Sequence, residues 1–296
     1  MSRTASPSVK QVYGAARVLR VWELPRSSFY HRRRQDQQPA RQSERRGPKT
    51  TYSDAELTEK IRAVLAESPF HGEGYRKVWA RLRYQQHVRT SKGQVLREAE
   101  LLAPSRRPVW AEAHAHNGTI VTERPNQMWG TDATAAQTWE EGQVTIFVAI
   151  DHCTAECVGI HAAKPATRFG ALEPIRQGVR TMLGGFAARV AAGLELRHDH
   201  GSQYLTDAFQ EEIRFLGMAS SPAFVRQPEG NGCVERFMRT LKEQLLWLRS
   251  FRHIEELRQA LFLFQERYNE HWLIERNGFR SPRQARQEFL AFGAAA

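Results

Sequence analysis

Three acidic residues have neighbours that suit them to chemistry. Asp132 lies in Trp129-Gly130-Thr131-Asp132-Ala133-Thr134, Asp199 in His198-Asp199-His200-Gly201-Ser202-Gln203-Tyr204, and Glu235 in Gly230-Asn231-Gly232-Cys233-Val234-Glu235-Arg236-Phe237. The second and third are separated by 35 residues. Three ionised carboxylates brought to one place repel each other, and each would tend to keep a proton. Hard divalent cations, Mg²⁺ or Mn²⁺, remove that penalty because they prefer oxygen ligands. Two such ions about 3.5–4 Å apart can activate an attacking oxygen and offset charge on a departing one in an in-line phosphoryl displacement. Asp132 is expected to bridge the two ions, with Asp199 on one and Glu235 on the other.

The elements needed to position these residues can be read along the chain. Thr131 and Ala133 suggest a strand, Glu140-Glu141-Gly142 a turn, and Val144 to Ile150 a buried strand; Ala155 to His161 reads as a third strand. Thr167 to Leu183 has a helical pattern, Leu194 to His198 is a short strand ending at Asp199, and Thr206 to Leu216 is amphipathic. Met218 to Ser221 reads as another strand, Pro222 to Gly230 as a mobile loop, and Asn231 to about Leu248 as the helix carrying Glu235. Strands in series followed by alternating helix and strand define an α/β sheet of mixed direction, with both aspartates at strands. A helix from Ile254 to Tyr268, with Leu257, Leu261, Phe264 and Tyr268 on one face, is expected to pack on that core.

Charge separates the first third of the chain from the rest. The net charge is +11 over 296 residues, yet residues 1–110 alone carry 23 Lys/Arg against 10 Asp/Glu. A basic block of this kind points to a polyanion, of which nucleic acid is the commonest. Residues 9–34 read as two short helices around a turn, with Val9, Val12, Ala15, Ala16 and Leu19 as an apolar face, followed by a Gln/Arg/Pro-rich linker over 35–50. Ser53-Asp54-Ala55-Glu56 is a capping-box pattern that starts a helix over 53–67. Further helices are predicted from Tyr75 to Leu82 and from Lys92 to Leu102, with a second linker over 104–118.

In this reading Arg76, Lys77, Arg81 and Arg83 face outward and meet DNA phosphates, which dominate such interfaces. On the glutamate's helix, Arg239 and Lys242 lie near its face and could hold phosphates beside the metals; Glu243 offers Arg239 an ion pair instead. Asp151 ends a strong strand and reads as a strand-end cap. His198 and His200 alternate sides around Asp199, so at most one can face the metals. No convincing zinc-ligand spacing occurs. Three cysteines are too few for a disulfide framework, and the chain has no apolar run long enough to span a membrane.

The three acidic motifs resemble those of the integrase-type transposases of bacterial insertion sequences, within the retroviral-integrase superfamily. The segment from Gly74-Tyr75-Arg76 to Leu82 resembles the helix-turn-helix ahead of that family's catalytic core, and Tyr268-Asn269-Glu270 through Ser281-Pro282 its C-terminal signature. The resemblance implies an RNase H-like core, a DDE polynucleotidyl transferase using two Mg²⁺ (or Mn²⁺) ions, and strand cleavage followed by strand transfer. The implied partners are double-stranded DNA (element terminal repeats and target) and further copies of the chain on DNA. Also implied is a two-frame element, of which this is the downstream product beside a small upstream helix-turn-helix protein. The setting would be the bacterial cytoplasm, at the nucleoid. One position departs from the pattern: His198 stands where many relatives carry a small hydroxyl residue.

The expected domains are a basic helical segment and linker over 1–50, a helix-turn-helix module over 51–110, the catalytic core over 124–250 and a helical extension over 251–296. The alternative is a DNA-binding regulator or decayed element product without catalysis. An intact acidic triad argues against decay.

Overall fold

A computed structural model describes residues 4–37, 52–91, 122–222 and 231–294. The expected linkers over 35–50 and 104–118, the helix from Lys92 to Leu102 and the loop from Pro222 to Gly230 lie largely or wholly outside the described residues. The chain divides into two units, Met1–Lys49 and Thr50–Ala296.

The first unit holds α1 (Gly14–Val21) and α2 (Arg26–Gln37). Val9 and Val12, read from the sequence as part of the first helix, precede it and are exposed; Val12 instead pairs with Ala5 in an antiparallel bridge. The helix starts late because Gly14 takes a φ of +55°, a left-handed conformation that glycine reaches without strain.

In the second unit the capping box forms as the sequence predicts. The Ser53 N–H donates to Glu56 Oε2 at 2.7 Å and the Glu56 N–H to Ser53 Oγ at 3.3 Å, starting α3 (Asp54–Glu67). Leu57, Ile61 and Val64 of α3 pack on Val78 of α4 (Tyr75–Ala80) and on Leu82, in the π-turn that continues α4 over Arg81–Gln85. This helical pair belongs to the same compact unit as the sheet. Phe70, between α3 and α4, sits in the sheet's own core, edge-on to Trp272 with ring centroids 4.8 Å apart.

The sheet comprises β1 (Met128–Thr138), β2 (Gly142–Asp151), β3 (Cys157–Ala163), β4 (Glu195–His198) and β5 (Ala219–Pro222), in the order β3-β2-β1-β4-β5. The first three form an antiparallel meander, and β4 and β5 run parallel to β1. The crossovers are α5 (Arg168–Met182) and α6 (Asp207–Leu216). With α7 (Gly232–Leu241) and α8 (Ile254–His271) packed as well, this mixed sheet is the RNase H-like architecture the motifs imply.

Two apolar layers hold the sheet. Trp129, Phe147 and Ala149 pack on Leu172, Ile175 and Val179 of α5 and on Phe209, Ile213 and Leu216 of α6. Ile146, Val148 and Ile150 pack on Val234, Phe237 and Leu241 of α7 and on Leu257, Leu261, Phe264 and Tyr268 of α8. The interior strand β2 is therefore buried on both faces, which is why Ile146 to Ile150 is an unbroken apolar run rather than an alternating one. A final helix, α9 (Pro282–Ala294), lies in the stretch read from the sequence as a helical extension over 251–296, without bounds of its own there.

Candidate active site

Side chains alternate across a strand, and β1 uses this to separate structure from chemistry. Trp129 and Thr131 are fully buried, Trp129 in the α5/α6 layer. Gly130 and Asp132 face α7. At Gly130 a Cβ would lie 2.5 Å from Val234 Cγ2, 2.7 Å from His152 Nε2 and 2.8 Å from Asn231 Oδ1. Any side chain there would push these three aside, so the start of α7 lies close against the strand. The Asn231 Nδ2–H donates to the Thr131 carbonyl at 3.3 Å and fastens that contact.

The parallel pairing of β1 with β4 places Gly130 beside Arg197. Two residues further along each segment stand Asp132, within β1, and Asp199, just past the end of β4. Asp199 is exposed, and its Oδ1 accepts the Gly201 N–H at 2.8 Å in the turn after β4. Glu235 lies exposed in the first turn of α7, where the helix dipole favours a negative charge. The three residues share an electrostatic environment. Burial pushes the Asp132 carboxyl above the usual carboxylate range. The N–H of Ala133, donating to Asp132 Oδ1 at 2.8 Å, pulls it down; the charges of Asp199 and Glu235 push it up, and Lys242 pulls it down. Asp132 thus feels the charges of both other acids and of the lysine predicted to accompany them. Among the described residues, no three or more His, Cys, Asp or Glu side chains form a group that could hold a metal ion.

Behind the acids, Thr131 Oγ1 donates to Tyr204 Oη at 3.5 Å, and the buried Tyr204 ring stacks on His198 with centroids 5.5 Å apart. His198 is turned into the fold. Its Nδ1 lies 2.7 Å from the Asp199 carbonyl, which can only accept, so Nδ1 carries the proton and Nε2 accepts from Ser220 Oγ at 2.9 Å. Burial holds its pKa below the ordinary histidine value. The imidazole braces the backbone of Asp199 against β5. His200 is exposed.

Asp151 is the strand-end cap read from the sequence. Its Oδ1 accepts from the Thr154 N–H and Oγ1–H at 2.8 and 2.9 Å, its Oδ2 accepts from the Asn126 N–H at 2.7 Å, and Arg286 lies 3.7 Å away.

The cations predicted to face DNA divide into two groups. Lys77 and Arg81 are turned inward, contrary to the outward placement expected from the sequence. Arg81 donates to both Glu73 oxygens at 2.8 and 3.1 Å and to the His271 carbonyl at 3.2 Å, and the Arg81 residue is 7% exposed. Lys77 lies over the Trp272 ring, and burial pushes its ammonium down to about 7 against the pull of Glu73. The reason is Glu73: a buried carboxylate at the turn before α4 requires cations, and the residues four and eight positions later supply them. Arg76 and Arg83 are exposed; Arg76 pairs with Glu275 at 2.9 Å, and Arg83 lies over the Trp79 ring at 5.7 Å. Arg239 makes the i,i+4 pair with Glu243 at 2.9 Å. Lys242 is half-buried beside Asp132.

Sequence reasoning missed Asn231 and His152. The first was visible as an amide between two glycines just before the helix. His152 followed a strand like many others and gave no signal; it is 7% exposed, and burial beside Arg276 pushes its pKa down to about 4.

Residues 216–282 match the integrase core domain family. The likeness extends to whole proteins. The chain is 24% identical to the transposase for insertion sequence element IS629 of Shigella sonnei, over 96% of this chain and 95% of that protein. It is 27% identical to transposase InsD for insertion element IS2 of Escherichia coli, over 78% of each. Among solved structures it is similar to the HTLV-2 integrase catalytic core domain in complex with magnesium: 17% identity, 55% of this chain, 98% of that chain and a TM-score of 0.42. The resemblance to integrase-type insertion-sequence transposases therefore holds across nearly the whole chain.

Proposed function

We propose that this chain is a DNA transposase that cleaves and joins strands at the ends of an insertion sequence, with Asp132, Asp199 and Glu235 as its catalytic, metal-holding carboxylates. The observation that carries the proposal is the state of Asp132. This half-buried carboxyl is raised by burial and by acids from two other elements, and lowered by Lys242. A half-buried carboxyl raised further by like charges is the pattern expected of a site built for a cation rather than for packing.

The donor set is all oxygen and fits Mg²⁺ or Mn²⁺. Mg²⁺ is commonly held by one or two carboxylates plus water and substrate phosphates rather than by an all-protein cage. The lack of a three-residue cation group among the described residues is therefore consistent with a site completed by DNA. When bound, such ions activate the attacking water or 3′-hydroxyl and offset charge on the leaving oxygen. The chain's own residues do the rest. Asp132 faces both partners, the Gly201 N–H orients Asp199, Asn231 and Gly130 fix the approach of the glutamate's helix, and Lys242 offers a cation for a flanking phosphate.

The proposed partners are double-stranded DNA, further copies of the chain assembled on it, and the small upstream-frame protein. Arg76, Arg83, Arg239 and Lys242 are the retained DNA contacts. Among the described residues no helix is long and apolar enough to cross a membrane.

The test is Mg²⁺-dependent cleavage and joining of labelled element ends by the parent and by Glu235→Gln. Removing even an outer-shell partner of a metal site costs about 10–100-fold, so loss of a direct ligand should cost more than about a hundredfold. Equal activity in both proteins overturns the assignment. The missing cation group favours one second reading, a DNA-binding regulator without catalysis. It would retain end binding in the parent while showing no metal-dependent product.

A further inference from the structure

A groove leads away from the acids along β1, and we propose that it takes an unpaired nucleobase of the DNA strand held at the carboxylates. Among the described residues β1 pairs with β4 only as far as Gly130, so residues 132–137 have no described strand partner on that side, beside the end of α7. Between them lies a cavity of about 490 Å³ lined by residues including Ala135, Gln137, Trp139, Lys242, Trp247 and Arg249. The lining begins at Ala135, three residues along β1 from Asp132, and it includes Lys242, whose charge reaches that carboxyl.

Two features suggest the occupant. First, Trp139 and Trp247 are 79% and 69% exposed, and two tryptophans at one cleft form an apolar patch that single scattered residues do not. Second, Trp139 is held on a fixed frame. Its N–H donates to the Phe251 carbonyl at 3.0 Å and the Glu140 N–H to the Arg252 carbonyl at 2.9 Å. The Glu141 carboxylate accepts from Thr138 Oγ1 and the Ile254 N–H at 2.9 and 3.0 Å. The ring is thus exposed on a rigid backbone. Aromatic platforms beside Lys and Arg are how proteins hold single strands, with bases on the rings and phosphates on the cations. A paired base is already stacked, so an unpaired one, next to a strand end or a break, gains most.

This proposal rests on the reading above that the acids act on DNA, and it is tested without metal or cleavage. The full-length protein is titrated with two labelled hairpins of one duplex sequence, one carrying a three-nucleotide single-stranded overhang and one blunt. The parent is expected to prefer the overhang about tenfold, with quenching of tryptophan fluorescence. The double variant Trp139→Ala/Trp247→Ala should lose that preference, and Trp139→Phe/Trp247→Phe should keep most of it. No preference in the parent, or an unchanged preference in the alanine variant, overturns the proposal. So does an alanine variant that differs only in self-association by sedimentation, since the groove would then cover a second copy. Binding without preference sinks this inference alone, whereas binding to neither hairpin sinks the DNA reading with it.

Discussion

Asp132 and Asp151 lie on paired strands of one sheet, Asp151 opposite Trp129 and Asp132 opposite Val148, yet the fold treats them in opposite ways. Asp151 is fully buried, accepts three hydrogen bonds and has an arginine beside it. Asp132 accepts one, from its own neighbour's N–H, and faces two like charges. A saturated carboxylate holds a structure together. One left short of partners and close to its own kind awaits something the polypeptide does not supply.

The largest effect should come from removing the saturated residue. Asp151→Ala strands the Asn126 and Thr154 donors and uncovers the buried Arg286, so it is expected to lose about 3–5 kcal/mol in urea unfolding. A loss below about 1 kcal/mol would mean that the two aspartates differ less than their surroundings indicate.

Next in size is His152, beside Asp151. Its folded pKa of about 4 lies below the ordinary 6.5. The unfolded chain therefore takes up a proton first as pH falls. The stability from keeping this imidazole neutral is complete above about pH 6.5 and drains away towards pH 4, by up to about 3 kcal/mol. His152→Gln should flatten that slope in unfolding curves taken between pH 7 and 4.5.

The smallest effect has the opposite sign. The folded pKa of Asp132 is raised, so ionising it at neutral pH costs stability, and the cost sets in as pH rises through the unfolded carboxylate value. Asp132→Asn should therefore raise the melting temperature without divalent ions, by about 2–4 °C if relief is near 1 kcal/mol, while abolishing strand joining. A variant that melts lower would show that Asp132 is a structural acid like Asp151.

The parts most legible in the sequence were those set by local rules. The capping box at Ser53, the doubly buried run of β2 and the apolar face of α8 each carried its own signature, and the structure places them within a few residues of the expected bounds. Asp132, Asp199 and Glu235 could be picked out because each sits in a distinctive local motif, and Asp151 because it ends a strong strand. Lys77 and Arg81 were misplaced because a helical wheel ranks cations as outward-facing, and only the fold reveals the buried Glu73 awaiting them. Which of His198 and His200 could face the metals stayed open because sequence cannot show that Ser220 and Tyr204 hold the His198 ring. Asn231 matters through a backbone carbonyl a hundred residues away, a distance no local pattern encodes.

Gly130 gives one more consequence. Because that position lacks a side chain, Val234 of the glutamate's helix and Asn231 just before it press their side chains against the strand itself, and an absent methyl group sets how near that helix can come. Gly130 is in effect a gauge block machined into β1: even alanine there would shim α7 outward and detune the proposed trio without altering any of its members.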